Sequence, residues 1–211
     1  SALLASCSES ELWQNPQTEA RDGYIMLNFK TEIPAMQEVV TRAVDPDGGG
    51  VQDMTLFCFD SYGLFISTVK AGVTVQKPGP GEMEGTFKAE VPENTRTIHF
   101  LANQNMDEFK EDSFRNKSES EVMAVLEGSS GRMIYWGRFA CDAGNDSNIA
   151  EQMATSGNSV KLIRNHARIS VDNPDNNGHI VITGFAVCNT NAFGTVAPHH
   201  PKKGFDSVSY T

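Results

Sequence analysis

Residues that could carry out catalysis or bind a metal are present, but their spacing supports neither activity. Nucleophilic catalysis needs a hydroxyl or thiol beside a base, often on a strained G-x-S-x-G turn, and the sequence has no such segment. His199 and His200 lack a third ligand at a useful spacing, which favours a chance pair in a linker. Asp45 and Asp47 resemble the start of a calcium loop, but its closing acidic ligand is missing, so a turn is the simpler interpretation. We therefore expect no enzymatic activity, no metal site and no cofactor.

A cysteine near the start of the chain lies in a pattern with a defined chemistry. Leu4, Ala5 and Ser6 come directly before Cys7, and a polar run follows it. In a bacterial lipobox, the leucine fills an apolar pocket of the processing peptidase and small residues fit beside the cut. The cysteine thiolate then accepts a diacylglyceryl group. The pattern predicts a lipid on Cys7, with residues 1–22 forming the end of a lipoprotein signal and a tether. A chance patch of small residues is the alternative.

The three remaining cysteines have no metal-binding spacing. Cys58 and Cys188 lie in apolar segments predicted to be strands, and Cys141 lies at the end of another. Free cysteine behaves as a small buried hydrophobe, so buried thiols are the expected state. One disulfide among Cys58, Cys141 and Cys188 is the alternative.

Composition and charge limit the range of partners. The 211 residues are 39% hydrophobic and 21% charged, as in a globular protein with a real core. A net charge of −10 argues against binding to nucleic acid or to an anionic bilayer. The sequence also has no apolar run of the roughly 18 residues that a membrane span requires. Any attachment to a membrane is therefore expected to be covalent or supplied by a partner.

Short strands must position these residues. Ile25, Leu27 and Phe29 alternate with polar residues, the period of a half-buried strand, and Met54–Phe59 is apolar on both faces. The other predicted strands are Leu64–Val69, Phe87–Val91, Thr97–Asn103, Arg132–Phe139, Val160–Val171 and His179–Cys188, with a helical segment at Met106–Leu126 and a loop at Asp142–Asn158. This order predicts an all-β domain over residues 23–190, an antiparallel β-sandwich with one short helical insertion, followed by a linker over residues 191–211.

Several stretches also occur in a characteristic order. After the lipobox and the first strand come Val39–Ala43, Met54–Asp60, Val91–Pro92 with Ile98–Asn103, and Leu162–Ile169 before Ile182–Phe185. In this order, over most of residues 7–198, they resemble the fimbrillin family of Bacteroidales, the type V pilus subunits and their accessory proteins. The resemblance implies a transthyretin-like, Greek-key sandwich, made as a lipoprotein precursor and sorted to the outer membrane and the cell surface.

The same resemblance implies a way of assembly. A trypsin-like protease cuts after an arginine, which releases the first strand and opens an apolar groove. A strand from another fimbrial subunit then fills the groove by β-strand addition. In this chain the cleavage candidate is Arg42, with Ala43 as the new N-terminus, and the removable strand carries Ile25, Leu27 and Phe29. An ordinary exposed arginine is the alternative for Arg42.

Two roles stay open at this stage. Family subunits carry their donor strand in a C-terminal part that this chain lacks, so either the sequence is a piece of a longer protein or the protein is a tip, anchor or accessory component. The resemblance favours an accessory or tip-like relative that serves adhesion and whose second domain is missing here. A lipid-anchored glycan-binding module is the rival hypothesis. It requires an exposed aromatic platform, for which Tyr135, Trp136 and Tyr62 are the candidates.

Overall fold

The computed structural model describes residues 20–32, 51–78, 83–128, 133–165, 182–186, 188, 194–198 and 204–205. These residues form two mainly antiparallel sheets with few and short helices, so the predicted all-β sandwich is confirmed. The strands are β1 (Tyr24–Glu32), β2 (Met54–Phe59), β3 (Phe65–Lys70), β4 (Gly72–Pro78), β5 (Met83–Pro92), β6 (Thr97–Ala102), β7 (Tyr135–Ala140), β8 (Ser159–Lys161) and β9 (Ile163–Arg164). Sheet A has the order β4-β5-β1-β8, and sheet B has the order β3-β2-β6-β7-β9.

The main core lies between the two sheets. Alternate side chains of β1 and β5 in sheet A face alternate side chains of β2 and β6 in sheet B. Its largest fully buried members include Leu27, Phe29, Phe87, Leu56 and Phe100. This arrangement follows from the period of two in each strand, because every second residue of a strand points to the same face.

A second apolar cluster covers the outer face of sheet B. Phe57 and Leu101 point away from the main core, and helix α1 (Glu119–Met123) packs over them with Val122 and Met123. This second layer explains why β2 and β6 are buried along their whole length. It also explains why Met54–Phe59 has no polar face in the sequence.

The helices differ from the prediction. In place of one helix over Met106–Leu126, the structure has a 3-10 helix at Glu111–Phe114 and α1, which begins after the N-cap Ser118. Asn116, with φ of 61°, interrupts the segment before that cap. A second helix, α2 (Ile149–Thr155), lies where a loop was predicted.

Local sequence signals explain where both helices begin. Each starts with a capping box, Ser118 with Glu121 in α1 and Asn148 with Glu151 in α2. The fold holds α2 by burying Ile149, Ala150 and Met153 in the main core. Neither helix approaches the length of a membrane span, and within the described ranges no other helix does.

Three predictions about the C-terminal third need correction. The predicted strand His179–Cys188 is wrong for residues 182–186 and 188, which are exposed and in no strand. The predicted strand Val160–Val171 is divided within its described part, because the chain leaves sheet A after β8 and enters sheet B at β9. Residues 194–198 and 204–205 are not a free linker, since Val196 and Ala197 are buried and Phe205 packs on sheet B.

The crossing between β8 and β9 depends on a glycine in β7. A Cβ atom on Gly137 would lie 2.8 Å from the Lys161 carbonyl oxygen and 2.8 Å from Cδ2 of Leu162. The backbone of the crossing segment therefore passes directly over Gly137, where any side chain would collide with it. The missing side chain at Gly137 leaves room for this crossing.

Candidate functional site

The first strand lies in the interior of sheet A. It pairs antiparallel with β5 from Tyr24 opposite Pro92 to Thr31 opposite Gly85, and parallel with β8 over Lys30–Glu32. The predicted inward face is confirmed, because Ile25, Leu27 and Phe29 are 6%, 1% and 0% exposed. A strand at this position fills a groove between its neighbours, and its removal would expose the core.

Phe29 is the main contact between the first strand and the rest of the core. Its ring stacks on Phe87 of β5 at 5.5 Å between centroids. It also meets Phe100 of β6 edge to face at 5.0 Å. Since Phe100 belongs to sheet B, Phe29 connects the two sheets as well as two strands of sheet A. Aromatic pairs of this geometry add to the free energy gained from burial.

Polar contacts hold the first residues of β1. Nε of Arg21 donates to Oε2 of Glu90 at 2.7 Å, and the Arg21 guanidinium lies 4.2 Å from the ring centroid of Tyr24. The amide of Glu93 donates to the Gly23 carbonyl at 3.0 Å. Gly23 has φ of 77°, which a residue with a side chain rarely adopts, so this turn favours glycine. The exposed ion pair contributes little by itself.

The turn that follows α2 holds the other end of β1. The Lys30 amide donates to the Asn158 carbonyl at 2.6 Å, and the Leu162 amide donates to the Glu32 carbonyl at 2.7 Å. The hydroxyl of Ser159 donates to the Glu32 carboxylate. Among the residues that the structure describes, β8 reaches only the last three residues of β1 on this side. The β5 ladder therefore provides most of the strand pairing of β1.

The predicted lipidation residue and the predicted cleavage residues are not among the residues that the structure describes. Cys7, Arg42 and Ala43 lie outside the described residues. His199 and His200, and the Asp45 and Asp47 pair, also lie outside them. Within the described ranges, no three His, Cys, Asp or Glu side chains come together as metal ligands.

A buried polar network on the outer side of sheet B was not found by sequence reasoning. Nε1 of Trp136 donates to Nδ1 of His99 at 2.9 Å, and Nε2 of His99 lies 2.7 Å from Oε1 of Glu119. Nε of Arg138 donates to the same Glu119 oxygen at 2.6 Å. Phe205 packs edge to face on His99 at 4.8 Å between centroids. In this segment His99, Leu101 and Asn103 alternate with Ile98, Phe100 and Ala102. The polar residues His99 and Asn103 within an otherwise apolar predicted strand were a signal for this second face.

The donors in the network determine the proton positions on His99. The indole N–H of Trp136 can only donate, so Nδ1 of His99 must accept and carries no proton. Nε2 then carries the proton and donates it to Glu119. His99 is therefore neutral in this arrangement, although it lies beside a carboxylate and is fully buried.

Glu119 is the charged centre of the network. Burial alone would raise the pKa of its carboxyl, but the hydrogen bonds from His99 and Arg138, the charge that His99 carries once it is protonated and the charge of Arg138 lower it to about 2. The carboxylate therefore stays ionised at neutral pH and anchors α1 to β6 and β7.

The aromatic platform required by the glycan-binding hypothesis is not formed by its two main candidates. Tyr135 and Trp136 are 1% and 7% exposed, Tyr135 in the main core and Trp136 in the second cluster. The glycan-binding hypothesis requires these two rings on the surface, but both are buried because both faces of sheet B are covered. Tyr62, at the tip of the β2–β3 hairpin, is 85% exposed.

The cysteines also differ in part from expectation. Cys58 is buried in β2 as predicted, and burial raises the pKa of its thiol to about 12. Cys141 is partly buried at the end of β7, while Cys188 is exposed, which contradicts its predicted burial. All three are free thiols, so the alternative of a disulfide among them is wrong.

Comparisons with known proteins give little similarity in sequence. No family model matches the chain, and no curated protein matches it. Among solved structures, a fimbrial assembly protein from Parabacteroides distasonis is similar with a TM-score of 0.31 and 10% sequence identity. The alignment covers 67% of this chain and 54% of that protein, so the chain spans about half of that protein's length.

Proposed function

We propose that this protein is a structural component of a cell-surface fimbria, an accessory or tip protein or a subunit, and not an enzyme. The observation that carries the proposal is the position of β1 between β5 and β8, with Ile25, Leu27 and Phe29 buried in the core. The order of sequence motifs that resembles the fimbrillin family supports the same role.

The chain connectivity fits a strand that can be removed. Residues 33–53 are the covalent link between β1 and β2, and Arg42 lies within them. A cut after Arg42 would leave β1 attached to the domain by non-covalent contacts alone. Burial of its three inward side chains contributes about 5–8 kcal/mol before the costs of ordering. That free energy would hold the groove closed after the cut until another strand replaces β1.

A replacement strand would have to match the contacts that β1 makes. It would pair antiparallel with β5, and its alternate side chains would enter the sites of Ile25, Leu27 and Phe29. Main-chain hydrogen bonds would provide affinity, and the aromatic site between Phe87 and Phe100 would fix the register. The partner is a strand of another fimbrial subunit.

The lipid on Cys7 would place the protein at the outer membrane. If Arg42 is cut, the lipid leaves with β1, and it has served only for transport. If Arg42 is not cut, Cys7 is a permanent anchor, and the protein is a fixed surface component. Cleavage therefore decides between these two roles within the fimbria.

The test is limited digestion with an arginine-specific protease. We expect a product that begins at Ala43 and that, once β1 is displaced, binds an added peptide with the sequence of β1, Tyr24–Glu32. Arg42→Lys is the matched control, because it keeps the positive charge but is not a substrate of that protease. A cut product that binds no such peptide after β1 has left, or that unfolds even when the peptide is present, would contradict assembly by strand exchange.

A further inference from the structure

The network around His99 is not used by the proposed exchange of β1. It lies on the face of sheet B that points away from the main core, where α1 and Phe205 cover it. His99 is fully buried, and its two ring nitrogens contact two different neighbours. Because both nitrogens have partners, the neutral ring is buried at little cost, whereas a change in its protonation would alter both contacts.

We propose that His99 is the proton sensor of a switch that loosens the packing of Phe205 on sheet B in acid while α1 stays in place. The reason is that the two neighbours of its ring respond to protonation in opposite ways. Nδ1 faces a donor, the Trp136 indole N–H, whereas Nε2 faces an acceptor, the Glu119 carboxylate.

Protonation breaks the contact on the Trp136 side. When Nδ1 gains a proton, two N–H groups face each other across the present 2.9 Å hydrogen bond, so the indole loses its acceptor. The His99 and Trp136 rings must then separate. Phe205 packs on both, at 4.8 Å from His99 and 6.4 Å from Trp136 between centroids, so these two ring contacts weaken when they move, while the Arg138 guanidinium, 6.0 Å from the Phe205 centroid, stays in place.

The contact on the Glu119 side becomes stronger. The hydrogen bond from Nε2 to Glu119 turns into an ion pair when the ring is charged. Arg138 continues to bind the same carboxylate. Since Glu119 is the first residue of α1, the helix remains attached to sheet B. Acid therefore acts on the residues around Phe205 and not on the helix.

In the part of the chain that the structure describes, three charged or polar groups act on the pH at which the switch operates. Among the described residues, Glu119 of α1 favours the charged ring, while Arg138 and the indole of Trp136, both of β7, oppose it. Phe59 of β2 and Phe205 also contact the ring and carry no charge. Removal of Trp136 and removal of Glu119 should therefore shift the titration in opposite directions.

The first measurement is NMR of the full chain with Trp13→Phe, which leaves Trp136 as the source of the single indole N–H signal. At about pH 7.5 we expect His99 as the tautomer protonated on Nε2. Between about pH 7.5 and pH 5, where histidine titrates, the His99 nitrogen signals and the Trp136 indole signal should change with one midpoint. Hydrogen exchange, corrected for pH, should rise at residues 204–205 and stay unchanged in α1.

Variants separate the switch from general acid unfolding. His99→Gln keeps an acceptor and a donor but cannot titrate, so the indole signal should no longer depend on pH in this range. Trp136→Phe should raise the His99 midpoint by about one pH unit, the value of one hydrogen bond. Glu119→Gln should lower the midpoint by about one to two units.

Several outcomes would overturn the proposal. A charged His99 at pH 7.5, or a His99 that stays neutral until the protein unfolds, would exclude a switch. An indole signal that still titrates in His99→Gln would place the sensor elsewhere. Equal gains in exchange at α1 and at residues 204–205 would show loss of the whole layer. If His99→Gln does not fold, the tautomer and midpoint of the Trp13→Phe protein still decide the question.

Discussion

A methyl group added at Gly137 should destabilise the fold by blocking the passage of the chain between the sheets. In Gly137→Ala the new Cβ would lie 2.8 Å from the Lys161 carbonyl oxygen, 2.8 Å from Cδ2 of Leu162 and 3.0 Å from Cγ1 of Val160. Ordinary contacts begin near 3.4 Å, so the backbone of Lys161 must move by about 0.6 Å. A flexible side chain could give way, but a carbonyl bonded into the crossing cannot do so without shifting β8.

The expected loss follows from two opposing effects. Overpacking of a closed site costs about 1–3 kcal/mol. The lower entropy of the unfolded alanine chain offsets at most about 0.4–1 kcal/mol of that cost. We therefore expect the free energy of unfolding to fall by up to about 2.5 kcal/mol, and by roughly 1 kcal/mol as a central value, in urea titrations followed by circular dichroism. Because β8 is bonded to β1, hydrogen exchange at Lys30–Glu32 should also increase.

A second glycine provides the matched control. Gly72, at the start of β4, has the Lys88 carbonyl oxygen as its nearest neighbour to a new Cβ, at an ordinary 3.8 Å. Gly72→Ala should leave the stability unchanged or raise it slightly. The reasoning would be refuted if Gly137→Ala lost no more stability than Gly72→Ala, or if exchange at the end of β1 stayed the same.

Three further predictions follow from the core, the polar network and the lipobox. Phe29→Ala should lower the free energy of unfolding by about 3–5 kcal/mol, since it removes a fully buried ring that joins both sheets; a loss below about 1 kcal/mol in urea titration would contradict that role. Because the folded pKa of Glu119 is about 2 and its ordinary value is 4.5, its contribution to stability is present above pH 4.5 and is lost as the pH falls toward 2. After allowance for solvent screening this loss is about 1–2 kcal/mol, and acid titrations of Glu119→Gln should lack it. Incorporation of labelled palmitate in a bacterial host should disappear in Cys7→Ser and persist in Cys188→Ser, whose exposed thiol is the control; label that remains in Cys7→Ser would contradict the lipobox.

Local patterns predicted much of the fold because burial is periodic. The alternation of Ile25, Leu27 and Phe29 identified the inward face of β1, and Met54–Phe59 was placed as a strand with the bounds that the structure has. The same reasoning missed β4 and α2. The capping box of Asn148 and Glu151 was a local signal for α2, but a helix of seven residues depends on its packing against the core.

The first strand shows most clearly what the sequence determined and what the tertiary structure decided. The sequence by itself determined that β1 is a strand, which side chains it buries, and that Arg42 stands between it and the next strand. Only the tertiary structure decided that β1 lies inside a sheet, antiparallel to β5 and parallel to β8, and that Phe29 reaches Phe100 of the other sheet. It likewise brought His99 to Trp136, 37 residues away, and to Glu119, 20 residues away. The physical reason is that periodicity reports which side of a strand avoids water, whereas the identity of the partner depends on contacts between segments far apart in the chain.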